Sequence, residues 1–168
     1  MNVLSSARAL KYGLALALAL SIGACARNSA DGDALNGAAN VAAGAPGSVQ
    51  DFATNVGDRV FFETDSTDLT PTAQATLDKQ AAWLNRYSSY SFTIEGHADE
   101  RGTREYNFAL GARRSETTKN YLIAKGVAAS RMKTISYGKE RPVAVCDDIS
   151  CWSQNRRAVT VLAGASGS

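Results

Sequence analysis

The chain has 168 residues and a formal net charge of +2, a length that suits one ordinary domain plus flanking segments. Two basic residues, Arg8 and Lys11, lie in the first 24 residues, where no acidic residue occurs, so the rest of the chain is formally neutral. Proteins that coat nucleic-acid phosphates normally carry a basic excess. The charge balance therefore disfavours nucleic acid as a partner.

Residues 1–24 are predicted to form a secretion signal. Arg8 and Lys11 supply its charged region, and Tyr12–Ile22 is an apolar stretch that alternates Leu and Ala. A stretch of eleven residues is too short for a membrane-spanning helix, which needs about 20 residues. The segment is therefore read as a signal peptide rather than a membrane span.

The signal ends in Ile22-Gly23-Ala24-Cys25, which resembles the lipobox of bacterial lipoproteins. The resemblance implies that the thiol of Cys25 is alkylated by a lipid, that the chain is cut before Cys25 and that the new amine is acylated. Ala26, rather than Asp, follows the cysteine, and this resembles the pattern exported to the outer membrane, on its periplasmic face. The alternative is cleavage after Ala24 beside an incidental cysteine.

A flexible linker is predicted to join the lipidated Cys25 to the folded domain. Residues 26–50 consist mainly of Ala, Gly, Asn and Ser, with almost no large apolar residue, so they cannot bury enough surface to fold. Such a coil averages about 25 to 30 Å from end to end and extends to about 80 Å. The expected organisation is a signal at 1–24, a lipidated linker at 25–50 and one domain at 51–168.

The domain is predicted to alternate strands with two long helices. Order begins near Asp58, and in both helices a threonine N-cap precedes the first turn. The first helix has a core-facing stripe formed by Ala73, Leu77, Ala81 and Leu84. In chain order, the elements are a strand at Arg59–Phe62, a helix from Pro71 to about Tyr87 capped by Thr70, a strand at Ser91–Gly96, a helix from Arg104 to Lys125 capped by Thr103 and ended by Gly126, a strand around Ile135 and Tyr137, and a strand at Arg157–Leu162.

This order predicts an α+β fold, with two helices on one side of a mixed sheet of about four strands and a βαβαβ-type core. The two cysteines in the domain, Cys146 and Cys151, suit a disulfide in an oxidising compartment. Closing so short a loop stabilises by only about 2 kcal/mol, so its expected role is to shape the local turn. A metal site is the alternative, but two cysteines and one distant histidine fall short of four ligands.

The densest group of polar residues is Glu95–Thr103, between the second strand and the second helix. Asn107, Leu110 and Arg114 share one face of that helix, above the turn that bears Asp99. A carboxylate can bind an ammonium and a guanidinium can clamp a carboxylate, so the pair suits a zwitterionic amino-acid end group. The alternative is a plain salt bridge between Asp99 and Arg114.

The run IEGHADERGTREYNFALGARR, followed by SYGKERP and NRRAV, resembles the OmpA-like peptidoglycan-binding domain family over about Val60 to Leu162. The segment HADERGT resembles one branch of it, the peptidoglycan-associated lipoproteins. The resemblance implies non-catalytic binding of the meso-diaminopimelate in peptidoglycan stem peptides. It also implies a partnership with the Tol system, chiefly the periplasmic protein TolB, in envelope integrity and constriction during cell division.

The same resemblance assigns the ligand contacts. The family's aspartate falls on Asp99, its arginine on Arg114, and its apolar neighbour on Leu110; Thr64 and Asp65 follow from the loop after the first strand. Thr64 departs from the aromatic residue often found there in the family. Replacing Asp99 or Arg114 by alanine is then expected to abolish binding to cell-wall sacculi and to leave the fold intact.

Two other functions remain as alternatives. One is a wall-binding lipoprotein outside the Tol system. The other is a peptidoglycan hydrolase that uses Asp99 or Glu100, although adjacent carboxylates in a polar loop suit acid–base catalysis poorly. No metal or cofactor is predicted, since His97 is the single histidine.

Two further features stay outside the predicted site. The run Asn155–Arg157 is expected to anchor the last strand rather than to bind ligand. Trp152 suits a cap over the core as well as a contact with a partner.

Overall fold

A computed structural model of the chain describes residues 44–163. The predicted signal peptide, the lipidation at Cys25 and residues 26–43 of the predicted linker lie outside the described residues. All the described residues fall in one compact unit of the chain.

Four α-helices and four strands make up the described part, together with a π-helical and a 3-10 turn. The helices are α1 (Val49–Asp51), α2 (Pro71–Arg86), α3 (Arg104–Ala124) and α4 (Ile149–Asn155). The strands are β1 (Arg59–Phe61), β2 (Phe92–His97), β3 (Met132–Gly138) and β4 (Arg157–Leu162). The π-helical turn is Phe52–Gly57 and the 3-10 turn is Ala129–Arg131.

The strands form one mixed sheet in the order β1-β4-β2-β3. Strand β4 is antiparallel to both β1 and β2, whereas β2 and β3 are parallel. Strands β1, β2 and β3 therefore run in the same direction, and their carboxyl ends lie at the same edge of the sheet. The predicted α+β fold, with two long helices on one face of a four-stranded mixed sheet, is confirmed.

Local sequence signals placed the two long helices correctly. The hydroxyl of Thr70 accepts a hydrogen bond from the amide of Ala73, and the hydroxyl of Thr103 accepts one from Tyr106, so both predicted N-caps are confirmed. The predicted stripe is buried, because it packs with Ile94 of β2 and Leu122 of α3 in the core; its members are Ala73, Leu77, Ala81 and Leu84.

The prediction that order begins near Asp58 is wrong. Helix α1 begins at Val49, inside the predicted linker, and the hydroxyl of Ser48 caps it. The carboxylate of Asp51 accepts a 2.8 Å hydrogen bond from the indole of Trp83, and the hydroxyl of Tyr90 donates to the carbonyl of Gly47. These polar contacts, together with the buried ring of Phe52, which lies 4.9 Å from that of Trp83, hold this segment on the domain.

Helix α4 was not predicted, because its seven residues carry too little periodicity to distinguish a helix from a loop. Its N-cap, Asp148, accepts a hydrogen bond from the amide of Ser150. A disulfide joins Cys146 to Cys151 across the start of this helix.

Two glycines let helix α3 lie directly on the sheet. A Cβ atom on Gly96 of β2 would lie 1.8 Å from the carbonyl oxygen of Gly111 on α3, and a Cβ on Gly111 would lie 2.5 Å from the hydroxyl of Ser136. Only hydrogen fits in either place. This contact fixes the distance between the end of β2 and the start of α3, where the polar residues gather.

Candidate functional site

The loops that follow β1 and β2 meet the first turns of α3 around a pocket of about 230 Å³. All six residues that the sequence predicted as ligand contacts lie in its lining: Thr64, Asp65, Asp99, Asn107, Leu110 and Arg114. Three residues that the sequence reasoning did not include complete it: Arg101, Gly102 and Tyr106. The pocket exists because the parallel strands β1 and β2 end at the same edge of the sheet.

Asp99 is held in an ion-pair network. It is only 7% exposed, and its carboxylate accepts hydrogen bonds from the amide and the guanidinium of Arg101, the shortest at 2.7 Å. A further contact of 3.4 Å comes from the guanidinium of Arg156. Burial by itself raises the pKa of Asp99, but the hydrogen bonds and charge of Arg101, with Arg156, outweigh it and hold the pKa below its usual value. Asp99 is therefore ionised at neutral pH.

The predicted alternative, a salt bridge between Asp99 and Arg114, does not form in residues 44–163. The ion pairs of Asp99 in that range are with Arg101 and Arg156. The contact between Arg101 and Asp99 could have been predicted from the local sequence, since the carboxylate of an aspartate often accepts a hydrogen bond from the amide two residues later. Arg156 was predicted to be structural, and its Nε does donate to the carbonyl of Phe62. Its contact with Asp99 is an additional role.

Arg114 forms the floor of the pocket and is fully buried. Its guanidinium donates to three backbone carbonyls: Nε to Ser66 at 2.9 Å, Nη1 to His97 at 2.9 Å and Nη2 to Glu63 at 3.1 Å. A guanidinium has five N–H donors, so two N–H groups of Arg114 have no partner among residues 44–163. Burial and the neighbouring charge of Arg156 lower the pKa of Arg114 to about 10, which leaves it protonated at neutral pH.

The rim of the pocket carries a second acidic residue. Asp65 adopts a positive φ of 54° in the loop after β1, a conformation that Asp tolerates better than most residues. The hydroxyl of Tyr106, in the first turn of α3, donates a short hydrogen bond to its carboxylate. This bond raises the pKa of Tyr106. Thr64 is exposed beside Asp65 at the mouth of the pocket.

Asn107 and Leu110 form the wall between the rim and the floor. Both are buried, and the amide nitrogen of Asn107 donates a 2.7 Å hydrogen bond to the carbonyl of Arg101. Asn107 therefore ties helix α3 to the loop that bears Asp99. The pocket presents carboxylates at Asp65 and Asp99, guanidinium groups at Arg101 and Arg114, and an apolar surface at Leu110.

Other candidate chemistry lies outside the pocket. His97 is 2% exposed, and neither of its ring nitrogens has a hydrogen-bond partner among the described residues. Among residues 44–163 there is no grouping of three His, Cys, Asp or Glu side chains able to hold a metal ion. Within the same part of the chain, no helix is long and apolar enough to span a bilayer.

Comparison with known proteins identifies the family of this chain. The model of the OmpA family matches residues 61–156. A protein named peptidoglycan-associated lipoprotein from Rhizobium meliloti is 62% identical over 153 residues, which cover 90% of this chain and 87% of the relative. The protein of the same name from Pseudomonas aeruginosa is 43% identical over 161 residues, with 88% and 95% covered.

Solved structures show the same fold. The crystal structure of the peptidoglycan-associated lipoprotein from Burkholderia pseudomallei is 40% identical, with a TM-score of 0.61, and the match covers 63% of this chain and 90% of that one. The C-terminal domain of Helicobacter pylori MotB is 20% identical with a TM-score of 0.60, and covers 65% and 86%. The second likeness concerns the fold alone.

Proposed function

The chain belongs to the OmpA family and, within it, to the peptidoglycan-associated lipoproteins, and on that premise we propose that its pocket binds the cell wall. The proposed ligand is the free amino-acid end of meso-diaminopimelate in a peptidoglycan stem peptide. Its ammonium would bind at Asp99, its carboxylate at Arg114, and the loop with Thr64 and Asp65 would add hydrogen bonds. The observation that supports this proposal is that opposite charges line one pocket of about 230 Å³.

The charges of the pocket suit a zwitterion better than a simple ion. Two carboxylates and two guanidinium groups line it, so a ligand that carries both charges can contact groups of both kinds, whereas a ligand with a single charge can contact only one kind. Asp99 already accepts from Arg101 and Arg156. The ligand's ammonium therefore shares these oxygens instead of meeting a bare carboxylate, and a second acceptor is available at Asp65.

Binding without catalysis fits the ionisation of the pocket. A glycosidase or a peptidase that used Asp99 as general acid would need its pKa raised. The arginine neighbours lower the pKa of Asp99 instead. The carboxylate of Glu100 is occupied by the indole N–H of Trp152. These two contacts support a binding module over the hydrolase alternative, and release of soluble fragments from purified sacculi would favour the hydrolase.

The location that we propose is the periplasmic face of the outer membrane, with the chain anchored by lipid on Cys25. This proposal rests on the lipobox and on the lipoprotein names of the relatives. Mass spectrometry of the mature protein tests it directly. A chain that begins at Cys25 with acyl and diacylglycerol mass supports the anchor, and an unmodified cysteine contradicts it.

We also propose that the chain acts in the Tol system, with TolB as its chief partner, during envelope constriction. The support is family membership alone. Co-purification with TolB from gently solubilised cells separates this function from that of a wall-binding lipoprotein outside the Tol system, for which TolB would be absent from the purified complex.

The wall-binding proposal is tested by calorimetry with two stem peptides that differ at one residue. One peptide contains meso-diaminopimelate and the other lysine, which lacks the second carboxylate. Loss of one charge-assisted hydrogen bond predicts binding about tenfold weaker for the lysine peptide. Asp99→Asn should weaken binding of the first peptide, whereas the matched control Asp147→Asn, on an exposed loop, should not. Equal binding of both peptides, or full binding by Asp99→Asn, would refute the site.

A further inference from the structure

The loop that bears Asp99 is contacted along its length by the connection between β3 and β4. We call residues 98–103 the pocket loop and residues 139–156 the β3–β4 connection. The ammonium of Lys139 donates to the carbonyls of Glu100 and Gly102, at 3.0 and 2.6 Å. The indole N–H of Trp152 donates to the carboxylate of Glu100. These hydrogen bonds hold the pocket loop against the β3–β4 connection.

Trp152 also contacts the pocket residue Arg101. The central carbon of that guanidinium lies 4.1 Å from the centroid of the indole ring, well inside the range of a cation–π contact. The same guanidinium pairs with Asp99 at 2.7 Å. Arg101 is thus held between the ring of Trp152 and the carboxylate of Asp99, although 40% of its side chain is exposed.

A disulfide and side-chain hydrogen bonds restrain the helix that carries Trp152. Its neighbour Cys151 is joined to Cys146 by the disulfide. The side chain of Asn155, at the end of α4, accepts from the amides of Val143 and Ala144 and donates to the carbonyl of Ala144 at 2.8 Å. These bonds tie the end of α4 to the loop before it and so restrain the helix that carries the indole.

We propose that Trp152 is a positioning residue of the pocket: its ring stacks on Arg101 and keeps that guanidinium on Asp99, so that the pocket loop is ordered before ligand binds. The expected consequence for wall binding rests on the proposed function. Without the ring, the exposed Arg101 can leave Asp99, and the ligand has to order the loop at a cost in affinity.

The first test uses the free protein and needs no ligand. Amide hydrogen exchange of the pocket loop is compared in the wild type, Trp152→Ala, Trp152→Phe and the control Ile149→Ala, an exposed residue of the same helix. In the alanine variant, the amides of Asp99 to Gly102 should exchange about two- to fivefold faster. This factor corresponds to the loss of one cation–π contact at an exposed site. Phenylalanine keeps a ring over Arg101 and should restore most of the protection. Unchanged exchange in Trp152→Ala would overturn the proposal.

The second test is a double-mutant cycle with binding of the diaminopimelate peptide as its readout. Trp152→Ala should weaken binding about two- to fivefold, and its effect should be clearly smaller when Arg101 is already alanine, because only the contact with Glu100 is then lost. Additive losses in the double variant, or unchanged binding in the single one, would overturn the proposal. If the wild type does not bind the peptide, the proposed function fails, while the exchange experiment still decides the role of Trp152.

Discussion

The guanidinium of Arg114 joins helix α3 to two backbone segments that are far from it in the sequence. It donates to the carbonyls of Glu63, Ser66 and His97, two of them in the loop after β1 and one at the end of β2. These are the segments that form the pocket. Arg114 therefore has a structural role in addition to the ligand contact that the sequence predicted for it.

This burial changes what we expect of Arg114→Ala. Three backbone carbonyls lose their donor, and the one of His97 is buried, so we expect the free energy of unfolding to fall by about 3 kcal/mol, and binding to sacculi to be lost. Arg114→Lys keeps the charge but not the fork of donors, and should be intermediate. Urea unfolding measures the effect, with the exposed neighbour Arg113→Ala as control. A variant as stable as the wild type would contradict this assignment.

His97 should make the stability of the domain depend on pH. Burial first, and then the charges of Arg157, Arg141 and Arg59, lower its pKa to about 4. The carboxylate of Glu95 lies 3.5 Å from Nε2, but without an aligned hydrogen bond it does not offset the three cations. The unfolded chain, with a histidine pKa near 6.5, binds the proton more tightly, so stability falls as the pH drops from about 6.5 to about 4.

The difference between the two pKa values corresponds to about 3 kcal/mol of stability. Urea unfolding at several pH values between 7.5 and 4.5 measures it, and His97→Asn should remove most of this slope. Asp99, whose pKa is lowered, loses its contribution only below about pH 4 and does not mask the effect. An equal slope in the wild type and the variant would exclude His97 as the cause.

At the scale of the elements, the spacing between α3 and β2 determines the shape of the pocket. Helix α3 carries Asn107, Leu110 and Arg114, and β2 leads into Asp99. The two elements touch through the glycine pair Gly96 and Gly111. Any side chain at this contact moves the floor of the pocket away from the loop that faces it.

Gly111→Ala should therefore destabilise the domain, even though alanine favours helix by about 1 kcal/mol. Its Cβ would lie 2.5 Å from the hydroxyl of Ser136 and 2.8 Å from the carbonyl of Gly96, and such overpacking costs about 1 to 3 kcal/mol. We expect a net loss of up to about 2 kcal/mol by thermal unfolding, with weaker peptide binding. Asn120→Ala, exposed on the same helix, should not destabilise. If Gly111→Ala were as stable as the wild type, the helix would be able to shift freely and the prediction would be wrong.

At the scale of the whole molecule, the described domain has two distinct poles. The pocket lies at the carboxyl ends of β1 and β2. Gly47 and Asp51 contact Tyr90 and Trp83, which lie at the end of α2 and just before β2, at the opposite edge of the sheet. If the chain is anchored at its N-terminus as we propose, the membrane pulls on the pole away from the pocket, and the pocket faces the wall.

This polarity predicts that the length of residues 27–40, and not their sequence, matters for the link between membrane and wall. Deleting them should leave the unfolding midpoint of the domain unchanged, because the contacts of Gly47 and Asp51 remain. The deletion should reduce the amount of outer membrane that sediments with sacculi, because a shorter tether spans less distance. A Gly/Ser segment of equal length is the matched control and should restore the link. Failure of this replacement would mean that the sequence itself is needed.

The sequence by itself determined the four strands, the two long helices and six of the nine residues that line the pocket. The caps at Thr70 and Thr103 and the stripe through Leu77 depend on neighbours within a few residues, so they can be recognised without the fold. The polar residues on α3 were grouped with Asp99 by helical periodicity and by family resemblance. The start of the domain was missed because hydrogen bonds from distant residues hold it.

Only the tertiary structure decided what these residues contact. Arg156 reaches Asp99 from 57 residues away, Trp152 reaches Arg101 from the β3–β4 connection, and Arg114 is buried by the loops that it holds. Such contacts depend on which segments pack together after the sheet has formed, and no local pattern in the chain encodes them. The same physical reason explains why the sequence suggested an ion pair between Asp99 and Arg114, whereas the fold gives Asp99 other partners.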